Sequence, residues 1–213
     1  MTRKFALYLI CFAVLVGMIF SAVASADVMV GVKRGDWVTY NVTITGEVPA
    51  QHDVTWCKIE VTEVEGKNIY VNITSRYSDG REETEPSTLK LETGQIGDCF
   101  VIPENLDADD VFESPEGTIT VSGVEEKTYL GAARSVVYAN NSQTVFRWDR
   151  STGFLLEANS SYPAFTMHTI AEKTNLWQAQ IFGLHPIGFI VLIVVVIVAV
   201  VILAVFLMRK MKK

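Results

Sequence analysis

DWVTYNVTIT, residues 36–45, alternates apolar and polar side chains along its length. The apolar set is Val38, Tyr40, Val42 and Ile44, and the polar set is Thr39, Asn41, Thr43 and Thr45. A period of two with many β-branched residues is typical of a strand that has one face in the core and one in water. This stretch therefore predicts a β fold.

The same alternation continues downstream. Residues 54–64 place Cys57, Ile59 and Val61 on one parity, and the turn at 65–68 leads into a second strand at 69–74, which is a hairpin signal. Further short strands are predicted at 88–92, 99–102, 118–121, 127–130, 134–139, 144–148, 154–158 and 165–171. About ten short strands with tight turns predict a mainly β, antiparallel domain, either a sandwich or an open half-barrel.

One segment departs from this pattern. Residues 103–115, PENLDADDVFESP, are acidic and aperiodic, which favours a loop or one helical turn. The carboxylates of Asp107, Asp109 and Asp110 are the candidates for a Ca²⁺ site, because that ion takes several oxygen ligands. The ordered EF-hand pattern is absent, so we expect a solvated loop and no metal.

The first 26 residues have the organisation of a secretory signal peptide. Arg3 and Lys4 precede an apolar run over 5–20, and Ala24-Ser25-Ala26 supplies small residues for cleavage after Ala26. The alternative is an uncleaved anchor. Either interpretation exports residues 27–174, which we expect to form one extracytoplasmic β domain.

Near the C-terminus, residues 187–208 form an uncharged run, IGFIVLIVVVIVAVVILAVFLM. A helix of that length spans the roughly 30 Å of a bilayer's hydrocarbon, so a transmembrane helix is predicted. The basic tail 209–213 indicates a cytoplasmic C-terminus, and 175–186 is expected to be a juxtamembrane linker. These features predict a single-pass cell-membrane protein with its N-terminal domain outside.

Charge is unevenly distributed along the chain. Six of the 18 basic residues lie in the two ends, which leaves 12 against 24 acidic residues in the middle. Lys and Arg supply most of the affinity of proteins for phosphate groups. We therefore expect no nucleic-acid partner and no attraction to anionic lipid heads.

The exported region retains two cysteines, Cys57 and Cys99. An even pair in an exported domain predicts a disulfide, which would close a loop and stabilise the fold. The alternative is two buried thiols.

Four Asn-x-Ser/Thr acceptors occur in the exported region, at Asn41, Asn72, Asn140 and Asn159. Three of them fall on the polar parity of predicted strands, and Asn140 falls in a predicted turn. A glycan must project into solvent, so this placement predicts glycosylation, in a eukaryotic or archaeal host.

No catalytic motif is present. His52, His168 and His185 are isolated in the sequence, and no nucleophile elbow, zinc helix or phosphate loop occurs. We expect no enzyme activity and no cofactor. A hydrolase, the remaining catalytic alternative, would require a Ser, a His and an acid that converge in the fold.

Three phrases carry a family resemblance: residues 35–40 (GDWVTY), 128–134 (TYLGAAR) and 148–157 (WDRSTGFLLE). They resemble uncharacterised archaeal cell-surface proteins with one C-terminal anchor. More distantly, the order of strands before the Trp148-Asp149…Thr152-Gly153 hairpin is similar to the half-barrels of lipoprotein carriers, which enclose an acyl chain. The second resemblance implies a concave lipid site.

These features predict a membrane-anchored binding or structural module of the cell surface that recognises another surface component. The alternative is a carrier-like half-barrel for a lipid or another hydrophobic ligand.

Overall fold

The structure is a computed structural model that describes residues 28–48, 53–94, 99–115, 117–180 and 186–211, with helix side chains described through Val201. The predicted signal peptide, residues 1–26, lies outside the described residues. So do His52 and His185.

Ten strands and one helix make up the described chain. They are β1 Trp37–Gly46, β2 Val54–Glu65, β3 Asn68–Tyr77, β4 Glu82–Lys90, β5 Val111–Ser114, β6 Gly117–Tyr129, β7 Ala132–Asn140, β8 Thr144–Asp149, β9 Leu155–Ser161, β10 Phe165–Thr174 and α1 Pro186–Met211. The strands form one antiparallel sheet in the order β4-β3-β2-β1-β10-β9-β8-β7-β6-β5. The mainly β, antiparallel prediction is confirmed. The single open sheet agrees with the half-barrel interpretation, and the sandwich alternative is wrong.

The first and last strands are neighbours in the middle of the sheet. β1 pairs with β10 over nine residue pairs, including Asn41 with Ile170 and Thr43 with His168. All other pairings join strands that are consecutive in the chain. The two edges, β4 and β5, are therefore also consecutive, and the connection between them crosses the open side of the sheet.

The predicted alternation of β1 to β3 is confirmed by burial. Val38 and Tyr40 in β1, Ile59 and Val61 in β2, and Ile69 in β3 are all nearly fully buried. On the opposite parity of β1, Asn41, Thr43 and Thr45 are exposed, but Thr39 is buried and departs from the prediction. The predicted polar residues of β2 and β3 are partly exposed. We call the buried side the inner face of the sheet and the opposite side the outer face.

Residues 99–107, here called the plug segment, pack against the inner face beside the β8–β9 turn. Ile102 N donates to Gly153 O at 3.0 Å, and Leu155 N donates to Phe100 O at 2.8 Å. Trp148 Nε1 donates to Cys99 O at 2.7 Å inside the core. The strand predicted at 99–102 is thus wrong, because the segment forms only one isolated bridge, between Val101 and Phe154.

Three strand boundaries differ from the sequence predictions. The predicted loop 103–115 ends early, since β5 occupies Val111–Ser114. The strands predicted at 118–121 and 127–130 are one strand, β6, with a register shift between Val121 and Gly123. The strand predicted at 88–92 is β4, which begins at Glu82 and contains Pro86. An edge strand tolerates proline, because one side of its backbone has no partner strand.

The chain after β10 stays on the domain for several residues. The Asn175 side chain accepts from Trp37 N at 2.9 Å and donates to Gly35 O at 2.8 Å. Gln180 N donates to Gly131 O at 2.8 Å, and the Arg134 guanidinium lies 4.5 Å from the ring centre of Trp177. The first half of the predicted linker is therefore docked on the sheet.

Helix α1 begins at Pro186, a favourable residue for a first helical turn, and contains the whole of the predicted stretch 187–208. Among the residues whose side chains are described, which in α1 end at Val201, no helix meets the length and apolarity needed to cross a membrane.

Candidate functional site

A cavity of about 290 Å³ lies between the inner face of the sheet and the plug segment. Its walls come from the second half of β1 and β3, the first half of β2, β8 and β10, and β9 from Leu155 to Ser160. In antiparallel strands these positions share one end of the sheet. β10 runs away from this end, so the chain leaves the domain at the opposite end.

Most of the cavity wall is apolar. The larger apolar side chains that line it are Val42, Ile73, Phe100, Phe146, Leu155 and Met167. Two smaller residues, Ala158 and Val54, complete parts of the wall. Among the described lining residues there is no Asp, Glu, Lys, Arg or His. Such a surface suits the uncharged apolar part of a ligand.

Five side chains that carry a hydroxyl also line the cavity: Ser75, Thr144, Ser160, Tyr162 and Thr169. Thr144 and Ser160 face each other across β8 and β9, and their hydroxyl oxygens are 2.9 Å apart in a buried hydrogen bond. Asn141 fixes the start of β8, since its side-chain oxygen accepts from Thr144 N at 2.6 Å. The hydroxyl pair is therefore held in place by the fold.

Contacts between aromatic rings support the cavity wall at Phe100 and Phe146. The rings of Tyr40 and Phe100 are 5.4 Å apart, and Phe146 stacks on Trp148 at 5.0 Å. The Tyr40 hydroxyl donates to Leu155 O at 3.0 Å. Burial, and to a smaller extent the neighbouring Cys57, raises the pKa of Tyr40 well above its ordinary value, so this hydroxyl keeps its proton.

Cys57 and Cys99 are both buried and both line the cavity, one from β2 and the other from the plug segment. The structure brings the two predicted partners to one place. It shows no disulfide between them in the described residues. The bridge therefore stays a prediction.

A polar cluster lies on the outer face, centred on Glu157 of β9. Lys127 Nζ and the Tyr129 hydroxyl approach Glu157 Oε2 at 2.7 and 2.6 Å, and Asn159 Nδ2 donates to Oε1 at 3.1 Å. Burial alone would raise the pKa of Glu157, but these hydrogen bonds and the charge of Lys127 lower it from 4.5 to about 2. Burial and the bond to Glu157 raise the pKa of Tyr129. The cluster is a stable ion-paired network within the sheet.

The four predicted glycosylation sites lie at or near the surface. Asn41, Asn140 and Asn159 are exposed, and Asn72 is partly exposed. Asn140 is the last residue of β7 and directly precedes the turn in which it was expected. Their use stays a prediction.

Two carboxylates of the acidic loop accept hydrogen bonds from other residues of the same chain. Asp107 Oδ2 accepts from Arg150 Nη2 at 2.7 Å, and Asp110 Oδ2 accepts from Asp107 N at 2.7 Å. Asp109 has a left-handed backbone, with φ of 71°. The described part of the chain contains no group of three or more His, Cys, Asp or Glu arranged to hold a metal ion.

His168 is the histidine that the structure describes, and it lies on the outer face beside the cluster. Its Nε2 is 3.5 Å from Glu157 Oε1 and has no hydrogen-bond partner among the described residues. Among the described residues, no serine hydroxyl is therefore hydrogen-bonded to this Nε2. Whether the protein has catalytic activity is untested, and its absence stays a prediction.

The half-barrel alternative predicts a concave site, but it identifies none of the residues that line the cavity, although one signal was available. Thr144 shares the parity of Phe146 and Trp148, and Ser160 shares that of Ala158. A hydroxyl on an otherwise apolar parity indicates a polar group on the inner face. Only the pairing of distant strands shows that these hydroxyls converge.

The fold and the cavity define a class: an open antiparallel ten-stranded sheet that encloses an apolar pocket at one end. No protein-family model and no curated protein matches the chain. The expected likeness to archaeal cell-surface proteins therefore has no support from relatives.

Among solved structures, the chain is similar to the siderocalin Ex-FABP, which is described as functioning through dual ligand specificities. The sequences are 12% identical, the match covers 65% of this chain and 70% of the other, and the TM-score is 0.24. At that TM-score the likeness is too distant to support an argument about this chain's ligand.

Proposed function

We propose that this chain is a membrane-anchored binding domain that holds a small apolar ligand in its cavity outside the cytoplasm. The observation that carries the proposal is the pocket of about 290 Å³, lined mainly by apolar side chains on a rigid sheet. Concave, largely apolar and pre-formed pockets are the usual form of small-molecule sites.

The size of the cavity limits the ligand. Its volume lies at the lower end of the roughly 300–1,000 Å³ that is common for ligand pockets. One short alkyl chain or a small ring system fits this space, whereas a two-chain lipid fits only in part. Burial of apolar ligand surface would drive binding at about 25 cal/mol per Å².

Anchoring is supported by the sequence of the helix. Residues 187–208 contain no charged residue, and four basic residues follow in the tail. A helix of 22 residues is about 33 Å long, which suffices for a hydrocarbon core of about 30 Å. The acidic domain would be repelled by anionic lipid heads, so the helix supplies the attachment.

The test is the recovery of an apolar molecule with the full chain. The protein is extracted in polymer-bounded lipid discs without detergent, and bound small molecules are measured by mass spectrometry. The Ala158→Phe variant fills the cavity, because Ala158 lines it. Ala133→Phe adds the same ring at an exposed position of β7 and is the matched control.

We expect a stoichiometric apolar molecule with the wild type and with Ala133→Phe, and its loss from Ala158→Phe. Equal amounts in all three proteins would show that the molecule is bulk lipid and would overturn the proposal. Circular dichroism of each variant establishes that the sheet is intact.

A further inference from the structure

We infer that the ligand is electrically neutral and that its one polar group is hydrogen-bonded by the Thr144–Ser160 hydroxyl pair. This inference rests on the proposed function and names the chemical class of its ligand. An alcohol, ester, ketone or amide with a short apolar body has the required chemistry, whereas a fatty-acid carboxylate does not.

The first argument is the absence of a counter-charge. The described residues that line the cavity include no Lys, Arg or His, and their polar side chains are five hydroxyls and the thiols of two cysteines. An ionised carboxylate loses its hydration on entry, and burial without a cationic partner strongly disfavours the charged form. A neutral polar group needs only one or two hydrogen bonds to replace those it made with water.

The second argument is the hydrogen-bonding capacity of the pair. Thr144 Oγ1 and Ser160 Oγ share one hydrogen bond at 2.9 Å, and both residues are less than 10% exposed. A hydroxyl has one donor hydrogen and two acceptor lone pairs. One of the two hydroxyl hydrogens forms the shared bond, so the other hydrogen and several lone pairs remain for a ligand. It can therefore donate to a carbonyl oxygen or accept from an alcohol.

The third argument is the position of the pair along the cavity. Ser160 lies near the end of β9 and Leu155 begins that strand, so the lined part of β9 extends over about 17 Å. Thr144 begins β8 beside Ser160, next to the turn at the cavity end of the sheet. Leu155 and the adjoining Phe100, both apolar, line the other end of this stretch, where Leu155 N donates to Phe100 O at 2.8 Å. The polar group of the ligand therefore lies at the end of the cavity formed by Thr144 and Ser160, and its apolar body points toward Leu155.

The test uses a matched pair of photoreactive ligands, a medium-chain alcohol and the corresponding carboxylate, with the same diazirine at mid-chain. The full chain is reconstituted in phosphatidylcholine vesicles at mildly alkaline pH, where the carboxylate is charged. Labelled peptides are identified by mass spectrometry. Labelling of residues 187–208 reports how much of each probe enters the bilayer and normalises the signal from the cavity.

We expect the alcohol to label peptides containing Phe100, Phe146 or Met167 at least about tenfold more than the carboxylate does, after normalisation. Thr144→Val, which is close in shape, and Ser160→Ala should each lower labelling by the alcohol about three- to tenfold. Thr120→Val makes the same change on an exposed part of β6 and should have no effect.

The failures of the two proposals are distinguishable. If neither probe labels the cavity while both label the helix, the proposed function itself is overturned. If the carboxylate labels the cavity as well as the alcohol, the function stands and ligand neutrality is wrong. If the alcohol labels Thr144→Val and Ser160→Ala as well as the wild type, the hydroxyl pair does not hold its polar group.

Discussion

At the scale of single residues, the fold holds the Glu157 carboxylate in a hydrogen-bonded cluster and lowers its pKa. Three side chains donate to it, and its pKa falls from 4.5 to about 2. Because the folded-state pKa is the lower one, the stabilisation is complete above about pH 4.5 and is lost as the pH falls toward 2. The cluster therefore makes the fold sensitive to acid.

Glu157→Gln tests this cluster. We expect the free energy of unfolding to fall by about 1–3 kcal/mol at neutral pH, because charge-assisted hydrogen bonds are lost. Chemical unfolding followed by tryptophan fluorescence measures this. The difference from the wild type should shrink below pH 4.5. Glu126→Gln, at an exposed position of β6, is the control and should change little. A difference that did not vary with pH would contradict the assignment.

Gly153 has no side chain, and this allows the plug segment to pack beside the β8–β9 turn. Its φ is +73°, and an added Cβ would overlap the carbonyl group of Ile102. Gly153→Ala should therefore cost about 2–4 kcal/mol, from backbone strain and steric overlap together. Gly66 also has positive φ, but open space surrounds it. Gly66→Ala should cost only about 1–2 kcal/mol, and equal losses would show that the Ile102 contact is unimportant.

At the scale of elements, one buried side-chain donor helps to hold the plug segment. Trp148→Phe removes the hydrogen bond from Nε1 to Cys99 O inside the core, at a cost of about 1–3 kcal/mol. We expect faster hydrogen exchange at the amides of Ile102 and Leu155, which bond between the plug segment and the turn.

Trp56→Phe is the matched control for this prediction. Trp56 Nε1 donates to Glu172 Oε2 at 3.2 Å on the exposed side of the sheet, so its removal should cost less than about 1 kcal/mol. Unchanged exchange at Ile102 and Leu155 in Trp148→Phe would show that the plug segment is held by packing alone.

The strands are predicted best from the sequence where one face of the sheet is exposed to water. In β1, Tyr40 and Asn41 differ completely in burial, so the alternation is visible in the residue types. In β6, residues 122–126 contain a glycine and two glutamates, and this composition predicts a gap between two separate strands. Glu125 is instead held on the outer face by Arg147 at 2.9 Å, a partner two strands away that local patterns do not identify.

The plug segment and the cavity were beyond prediction for a related reason. Residues 99–102 have strand-forming composition, yet their backbone hydrogen bonds to Gly153 and Leu155 form only one isolated bridge, between Val101 and Phe154. The hydroxyls of Thr144, Ser160 and Thr169 converge through strand pairings whose register is set by the whole sheet. Local sequence patterns predict on which face of the sheet a side chain lies, but they do not predict which side chains of other strands lie next to it.

At the scale of the whole molecule, the apolar sequence of α1 predicts that the full chain is attached to membranes. Residues 187–208 should retain the full chain in the pellet after alkaline extraction of membranes, because burial of their apolar side chains outweighs any surface charge effect. A chain that stops after Gln180 should be recovered in the soluble fraction. Release of the full chain by alkali would contradict the anchor, and protease added to intact cells would test which side the domain occupies.

The pairing of β1 with β10 joins residues that are 119 to 136 positions apart in the chain, from Gly46 with Phe165 to Val38 with Thr174. During synthesis, β1 has only β2 beside it until residues 165–174 have emerged, and the centre of the sheet is the last part to gain its partner. Contacts of such long sequence separation slow folding. A ribosome that stalls before β10 would leave two unfinished half-sheets with bare central edges, which would make the nascent chain dependent on a chaperone until its last strand arrives.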